Sequence, residues 1–220
     1  MKNVVFLGDS ITDWGRNRGD DRFLGSGYPT LVSAKLGAEY PKQYIFLNRG
    51  ISGNRIVDIY SRIRCDCINL EPDVVSILIG VNDVWHNVGV YDDNGRCYLK
   101  NNGVPNERYE QIYSMMVEDI KAANPNTEIM ILEPFVRKGF STERDYDAFV
   151  KEVFEKAAIA KKVAEKYGLT FVELQKVFDN ACEIAEETYW LADGVHPTNA
   201  GHQIVADEWI KAFKNKYTNL

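Results

Sequence analysis

No apolar stretch in the 220-residue chain approaches the ~18 residues of a membrane-spanning helix, which excludes a helical membrane protein. The N-terminus, Met1-Lys2-Asn3-Val4-Val5-Phe6-Leu7-Gly8-Asp9, has no signal h-region, because charge arrives at Asp9. A cytoplasmic location is therefore expected. Basic runs are missing too. Against 32 Asp and Glu stand 26 Lys and Arg, a formal charge of −6. That excludes nucleic acid as a partner, since phosphate contacts need clustered Lys and Arg. Cysteine is sparse: Cys65, Cys67, Cys97 and Cys182. Without a signal they read as reduced thiols. Cys65-Asp66-Cys67 has no second pair at zinc spacing and reads as two thiols on a helix. H-E-x-x-H, EF-hand, Walker A and G-x-G-x-x-G patterns are all absent. No metal or organic cofactor is expected. Repeats, low-complexity tracts and linkers are also lacking, so one domain over residues 1–220 is the expectation.

What is present is alternation. Five short runs rich in β-branched and aromatic residues end in turn residues: Val4–Leu7, Tyr44–Leu47, Val74–Ile79, Glu128–Leu132 and Leu169–Val172. Near-continuous apolar runs suit strands buried on both faces of a parallel sheet. Between them lie helical patterns. One starts at Pro29, one runs through Ile56, Ile59, Tyr60 and Ile63, and one from Tyr109 to Ile120 before Asn124-Pro125. A long one spans Tyr146–Tyr167 with Gly168 as its C-cap, and the last covers Gln203–Phe213. The fold class is α/β, a three-layer α/β/α sandwich with right-handed crossovers. Trp85–Asn106 is expected to be a long irregular segment, and its place after a strand end favours function.

In such sheets ligands bind beyond the carboxyl ends of the strands. Gly8-Asp9-Ser10 follows the first run, Gly50-Ile51-Ser52-Gly53-Asn54 the second and Gly80-Val81-Asn82-Asp83 the third. Asp193-Gly194-Val195-His196-Pro197 precedes the last helix. A serine hydroxyl is a poor nucleophile until a base removes its proton, and histidine suits that at neutral pH. Ser10 is thus the candidate nucleophile and His196 its base. Asp193, three residues earlier, can reach Nδ1 of His196 in a tight turn, which Pro197 favours by pushing His196 toward extended backbone. Acyl transfer also needs donors for the oxyanion. The N–H groups of Ser10 and Gly53 and the carboxamide of Asn82 are the candidates.

These four blocks resemble those of the SGNH/GDSL hydrolase family, in family order and across nearly the whole chain. The resemblance implies a flavodoxin-like five-stranded parallel sheet of order 2-1-3-4-5. It also implies Ser10 as nucleophile, His196 as base, Asp193 as its orienter, and Ser10, Gly53 and Asn82 as oxyanion donors. The G-x-S-x-G elbow of α/β-hydrolases is absent, Gly50-Ile51-Ser52-Gly53 being one residue short. Flanking residues, Ile11-Thr12-Asp13, Gly25-Ser26-Gly27-Tyr28 and Val84-Trp85, are similar to intracellular bacterial acetyl xylan esterases of this family.

That likeness implies a serine esterase removing acetyl groups from xylooligosaccharides or related sugars through an acyl-enzyme. The partner is then a small acetylated carbohydrate, with no nucleic acid or membrane, and with room for a homo-oligomer. The alternatives are a lysophospholipase or arylesterase, and a non-catalytic sugar-binding module. Polar residues between Trp85 and Asn106 fit sugar better than an acyl chain. Asp9, Trp14, Trp85, Tyr91 and Trp190 are the candidate substrate-binding residues; the competing reading of the aromatics is core packing. Arg16–Arg22 reads as a solvated loop near the site, and His86 and His202 as structural or surface residues.

Overall fold

The computed structural model describes residues 1–91 and 97–217, with side chains at all of these except 90, 91 and 97–99. In chain order the strands are β1 (Lys2–Gly8), β2 (Tyr44–Asn48), β3 (Val74–Leu78), β4 (Val90–Tyr91), β5 (Cys97–Leu99), β6 (Glu128–Leu132) and β7 (Thr170–Val172). The helices are α1 (Ser10–Asp13), α2 (Tyr28–Glu39), α3 (Ile56–Ser61), α4 (Ile63–Asp66), α5 (Val81–Val88), α6 (Asn106–Ala123), α7 (Tyr146–Tyr167), α8 (Gln175–Cys182), α9 (Glu187–Trp190) and α10 (Asn199–Tyr217).

Five strands form one parallel sheet of order β2-β1-β3-β6-β7. Counted among themselves they run 2-1-3-4-5, as the resemblance implied. Val4 on β1 pairs with Phe46 and with Val74, which fixes the register of the three strands that carry the site. Alternation along β1 divides the core. Val4 and Phe6 face Tyr28 and Val32 of α2 and Trp209 and Phe213 of α10. Val5 and Leu7 face Ile56 and Ile59 of α3, Tyr113 and Met116 of α6, and Val163 of α7. Both faces are dry, so the runs had to be apolar throughout. Each fully buried side chain of this size contributes roughly 1.5–3 kcal/mol. The one polar residue inside β3, Ser76, accepts a hydrogen bond at 2.9 Å from the buried Trp209 indole N–H. Its burial is thereby satisfied.

Three expectations are corrected. Trp85–Asn106 is not one irregular stretch: α5 reaches Val88, and β4 and β5 pair antiparallel. Helix α5 sits between Gly80 and Gly89, and its Val81 and Val84 join the core. Val81, Val84, Trp85 and Val88 recur at helical spacing, but the period lasts only about two turns between Gly80 and Gly89, and Asn82, Asp83 and Asn87 within it read as loop residues. The pattern from Ile56 to Ile63 splits into α3 and α4 at Arg62, which leaves helical geometry at φ −116° and ψ 10°. The last helix begins at Asn199, four residues before the apolar period becomes visible. By contrast, α7 and its cap at Gly168 (φ 63°) lie where the sequence put them. Among the described residues no helix is long and apolar enough to cross a membrane.

Candidate active site

Because β1 lies between β2 and β3, the loops after these three strands share one edge of the sheet. Ser10 follows β1 and opens α1. Its N–H is one of the first amides of that helix, which have no intrahelical acceptor. The loop after β2 runs along the end of β1, where Ile51 N–H donates to Gly8 O at 3.1 Å. It is pinned further by Asp13, whose Oδ2 accepts from Ser52 N–H at 3.0 Å. Gly53 stands in this loop at φ 79°, the left-handed region that favours glycine. Asn82 lies in the first turn of α5, after β3, and is buried. Its Nδ2 donates one proton to Asn54 O at 3.1 Å, which leaves the second free to donate.

Asp83 ties the same loop down from its far end. Its carboxyl accepts the Ile56 N–H at 3.0 and 3.2 Å on its two oxygens. Burial raises this carboxyl to about 8. Its position after Asn82 was the only signal for it in the sequence. A separate cleft of about 450 Å³ lies against Asp83, lined by Asn87, Asn106 and Lys156 but by neither Ser10 nor His196.

His196 reaches the edge from the turn between α9 and α10. Leu191 and Pro197 form an antiparallel bridge, and Ala192 N–H donates to His196 O at 2.8 Å. Gly194 turns the chain at φ 96°, and a side chain there would strike Arg137 O. The turn is filled by the Asp193 carboxylate. Its Oδ1 accepts from the N–H groups of Val195 at 3.0 Å and His196 at 2.8 Å. Its Oδ2 lies 2.8 Å from His196 Nδ1 and accepts from Ser141 Oγ at 3.0 Å. Ser141, in the segment after β6, also donates its N–H to Asp193 O. No sequence signal marked Ser141, since only the fold brings that segment to the turn.

Burial pushes the Asp193 carboxyl upward. The His196 hydrogen bond and charge and the backbone N–H groups outweigh it, and the carboxyl sits well below its ordinary range. An ionised carboxylate can only accept. The proton of the neutral ring is therefore on Nδ1, and Nε2 accepts from Ser10 Oγ, 2.8 Å away. Burial lowers the His196 pKa, but the hydrogen bond and charge of Asp193, with the charge of Asp9, reverse this and raise it above its ordinary value.

Asp9 does not fit as a substrate-binding residue. Its carboxyl is 1% exposed and accepts the Ile11 N–H at 3.0 Å as the N-cap of α1. Burial raises it to about 6. Trp190 is half-buried beside the His196 turn. Its indole packs edge-on against Tyr189 at 4.8 Å and on the core, and its carbonyl takes the Thr198 N–H. Trp14 and Trp85 do reach the site, but each has its ring against the His196 imidazole. The Tyr91 side chain lies outside the described residues. Arg16 is not solvated: its side chain is 6% exposed and its Nε donates to Gly50 O at 2.7 Å. His202 is structural, fully buried and accepting Tyr28 N–H on Nδ1 at 3.2 Å. His86 is buried in α5.

A parallel α/β sheet with a hydroxyl, an imidazole and a carboxylate in series at its carboxyl edge has the architecture of serine-type acyl hydrolases. The comparisons with known proteins specify the class. The pattern of the GDSL-like lipase/acylhydrolase family matches residues 6–204, and the chain belongs to that family. It is a carboxylic ester hydrolase. It is 34% identical over 215 residues to an acetylxylan esterase of Geobacillus stearothermophilus, covering 96% of this chain and 93% of that one. The solved structure of the acetylxylan esterase Axe2 from the same organism superposes with a TM-score of 0.82 at 33% identity, over 96% and 93% of the two chains. A GDSL-like protein of Parabacteroides merdae gives 0.85 at 35% identity, over 96% and 94%.

Proposed function

We propose that the chain hydrolyses acetyl esters, with O-acetyl groups on xylooligosaccharides or related sugars as substrate. The observation that carries this reading is the unbroken relay from Ser10 Oγ to His196 Nε2 and from His196 Nδ1 to Asp193 Oδ2, each step 2.8 Å. Ser10 attacks the acetyl carbonyl as its proton passes to Nε2. The tetrahedral oxyanion is held by the N–H groups of Ser10 and Gly53 and the free Nδ2 proton of Asn82. Collapse of this intermediate expels the sugar hydroxyl, which takes the proton back from His196. Water repeats the cycle on the acetyl-enzyme. The acetyl preference draws support from the acetylxylan esterase relative. A chain-length series of p-nitrophenyl esters tests it: C2 is expected to be the best substrate, and preference for C8 or longer would instead support a lipid ester. Acetate release from acetylated xylooligosaccharides tests the sugar. We also keep a cytoplasmic site of action, which the free thiols of Cys65, Cys67 and Cys182 favour; recovery of the protein from the culture medium would overturn it.

Two further results are expected. His196 acts as base only when neutral, so kcat/KM should rise with pH. Its midpoint should lie above the ordinary histidine value of 6.5, because Asp193 and Asp9 favour the imidazolium. A profile flat from pH 5 to 8 would remove His196 from the role. Asn82→Ala should lower kcat by about 10²–10³ with little change in KM, as an oxyanion donor would. A loss below about threefold would mean that the amide serves only to hold Asn54.

A further inference from the structure

Trp14 and Trp85 come from different segments and meet one ring. Trp14 closes α1 at φ 27°, and Trp85 lies in the middle of α5. The His196 imidazole centroid is 5.8 Å from the Trp14 ring at an interplanar angle of 24°, and 5.9 Å from the Trp85 ring at 43°. Each indole is itself braced. Trp14 packs on His202 at 5.0 Å, and Trp85 meets Phe149 edge-on at 6.0 Å. His202 is buried, which lowers it to about 4; it is neutral at pH 7 and places no competing cation behind Trp14. The face of an indole is the negative part of its quadrupole. A cation over that face within about 6 Å of the ring centroid is attracted to it more strongly than a neutral imidazole is.

We infer that Trp14 and Trp85 are positioning residues for the base, holding the His196 ring between Ser10 and Asp193 and favouring the imidazolium that forms as Ser10 attacks. This replaces their reading as sugar walls and rests on His196 being the base. The other groups acting on the ring are Asp193 from its own turn, Asp9 from the end of β1 and Ser10. Ser141 acts through Asp193, and His202 lies behind Trp14. Both carboxylates favour the same protonation state as the indoles, so the aromatic contribution must be separated by substitution.

The experiment measures the His196 imidazole pKa directly by NMR titration in the wild type, Trp14→Leu, Trp85→Leu and the two Phe variants. Leu keeps apolar cover over the ring and deletes the π face. A fall of about 0.5–1 pH unit is expected for each Leu variant, and a smaller one for Phe. With p-nitrophenyl acetate, which carries no sugar, kcat should fall in the Leu variants while KM holds. An imidazole that titrates at or above the wild-type value in the Leu variants overturns the inference. So does an unchanged kcat on that ester combined with a raised KM for acetylated xylooligosaccharide, the result for a sugar wall. Circular dichroism checks folding; if Trp14→Leu does not fold, Trp85→Leu decides, and if neither folds, the Phe pair decides. The titration needs no turnover. An esterase-inactive wild type would sink the proposed function and the catalytic half of this inference together, whereas an active wild type with unshifted Leu variants would overturn the inference alone.

Discussion

Replacing Ser10 with Ala should reduce kcat on p-nitrophenyl acetate by about 10⁴-fold or more and leave the fold intact. The substitution removes only Oγ, whose partner is His196 Nε2. The Ser10 N–H stays, as does the Asp9 side chain that caps α1 through Ile11 N–H. Alanine is a good helix former, so α1 and the loop that packs on it are undisturbed. The oxyanion donors survive, and the small residual rate measures what they do without a nucleophile. Two other serines hydrogen-bond to carboxylates around the site, and neither has the imidazole it would need as a base. Ser52 Oγ is 3.2 Å from Asp13 Oδ2, a carboxylate with no imidazole between. Ser141 Oγ donates to Asp193 itself. Stopped-time assays on the purified variant, with a thermal melt as control, decide the matter. A kcat within tenfold of the wild type would move the nucleophile elsewhere in the chain.

The catalytic blocks were legible because each one sits where a local pattern changes. Ser10, Gly53 and Asn82 follow apolar runs, and a parallel sheet brings the ends of neighbouring runs to one edge. His196 was readable from Asp193 and Pro197 around it, since that triplet closes its own turn. What escaped were relations between segments far apart in the chain. Ser141 supports Asp193 from 52 residues away. The Asp83 carboxyl holds Ile56 from 27. No period or motif encodes such distances. Asp9 escaped for the opposite reason. It stands beside Ser10 in sequence, yet α1 begins there, and the helix N-terminus claims its carboxyl before a ligand can. The aromatic residues were the least readable of all. Trp14, Trp85 and Trp190 look alike in sequence, and only packing sends two of them to His196 and the third against Tyr189.

Asp193→Asn should lower kcat by about 10³–10⁴, the second largest loss expected, although the two side chains have the same shape. The carboxylate does four things at once. It accepts the N–H groups of Val195 and His196 on Oδ1, and on Oδ2 it faces His196 Nδ1 and accepts from Ser141 Oγ. An asparagine can keep the first pair with its carbonyl oxygen, so the turn survives. Its Nδ2 then stands where Oδ2 was. That group donates and cannot accept, so His196 must offer Nδ1 as an acceptor and move its proton to Nε2. Nε2–H faces Ser10 Oγ and can no longer take its proton. Ser141 can turn its hydroxyl to accept from Nδ2, which stabilises the wrong tautomer further. The positive charge that forms on His196 also loses its counter-ion, so the histidine pKa should fall. The prediction therefore has two parts: a large loss in kcat with KM nearly unchanged, and a pH midpoint displaced downward. A loss under about tenfold would show that the backbone of the turn, and not the Asp193 carboxylate, orients the base.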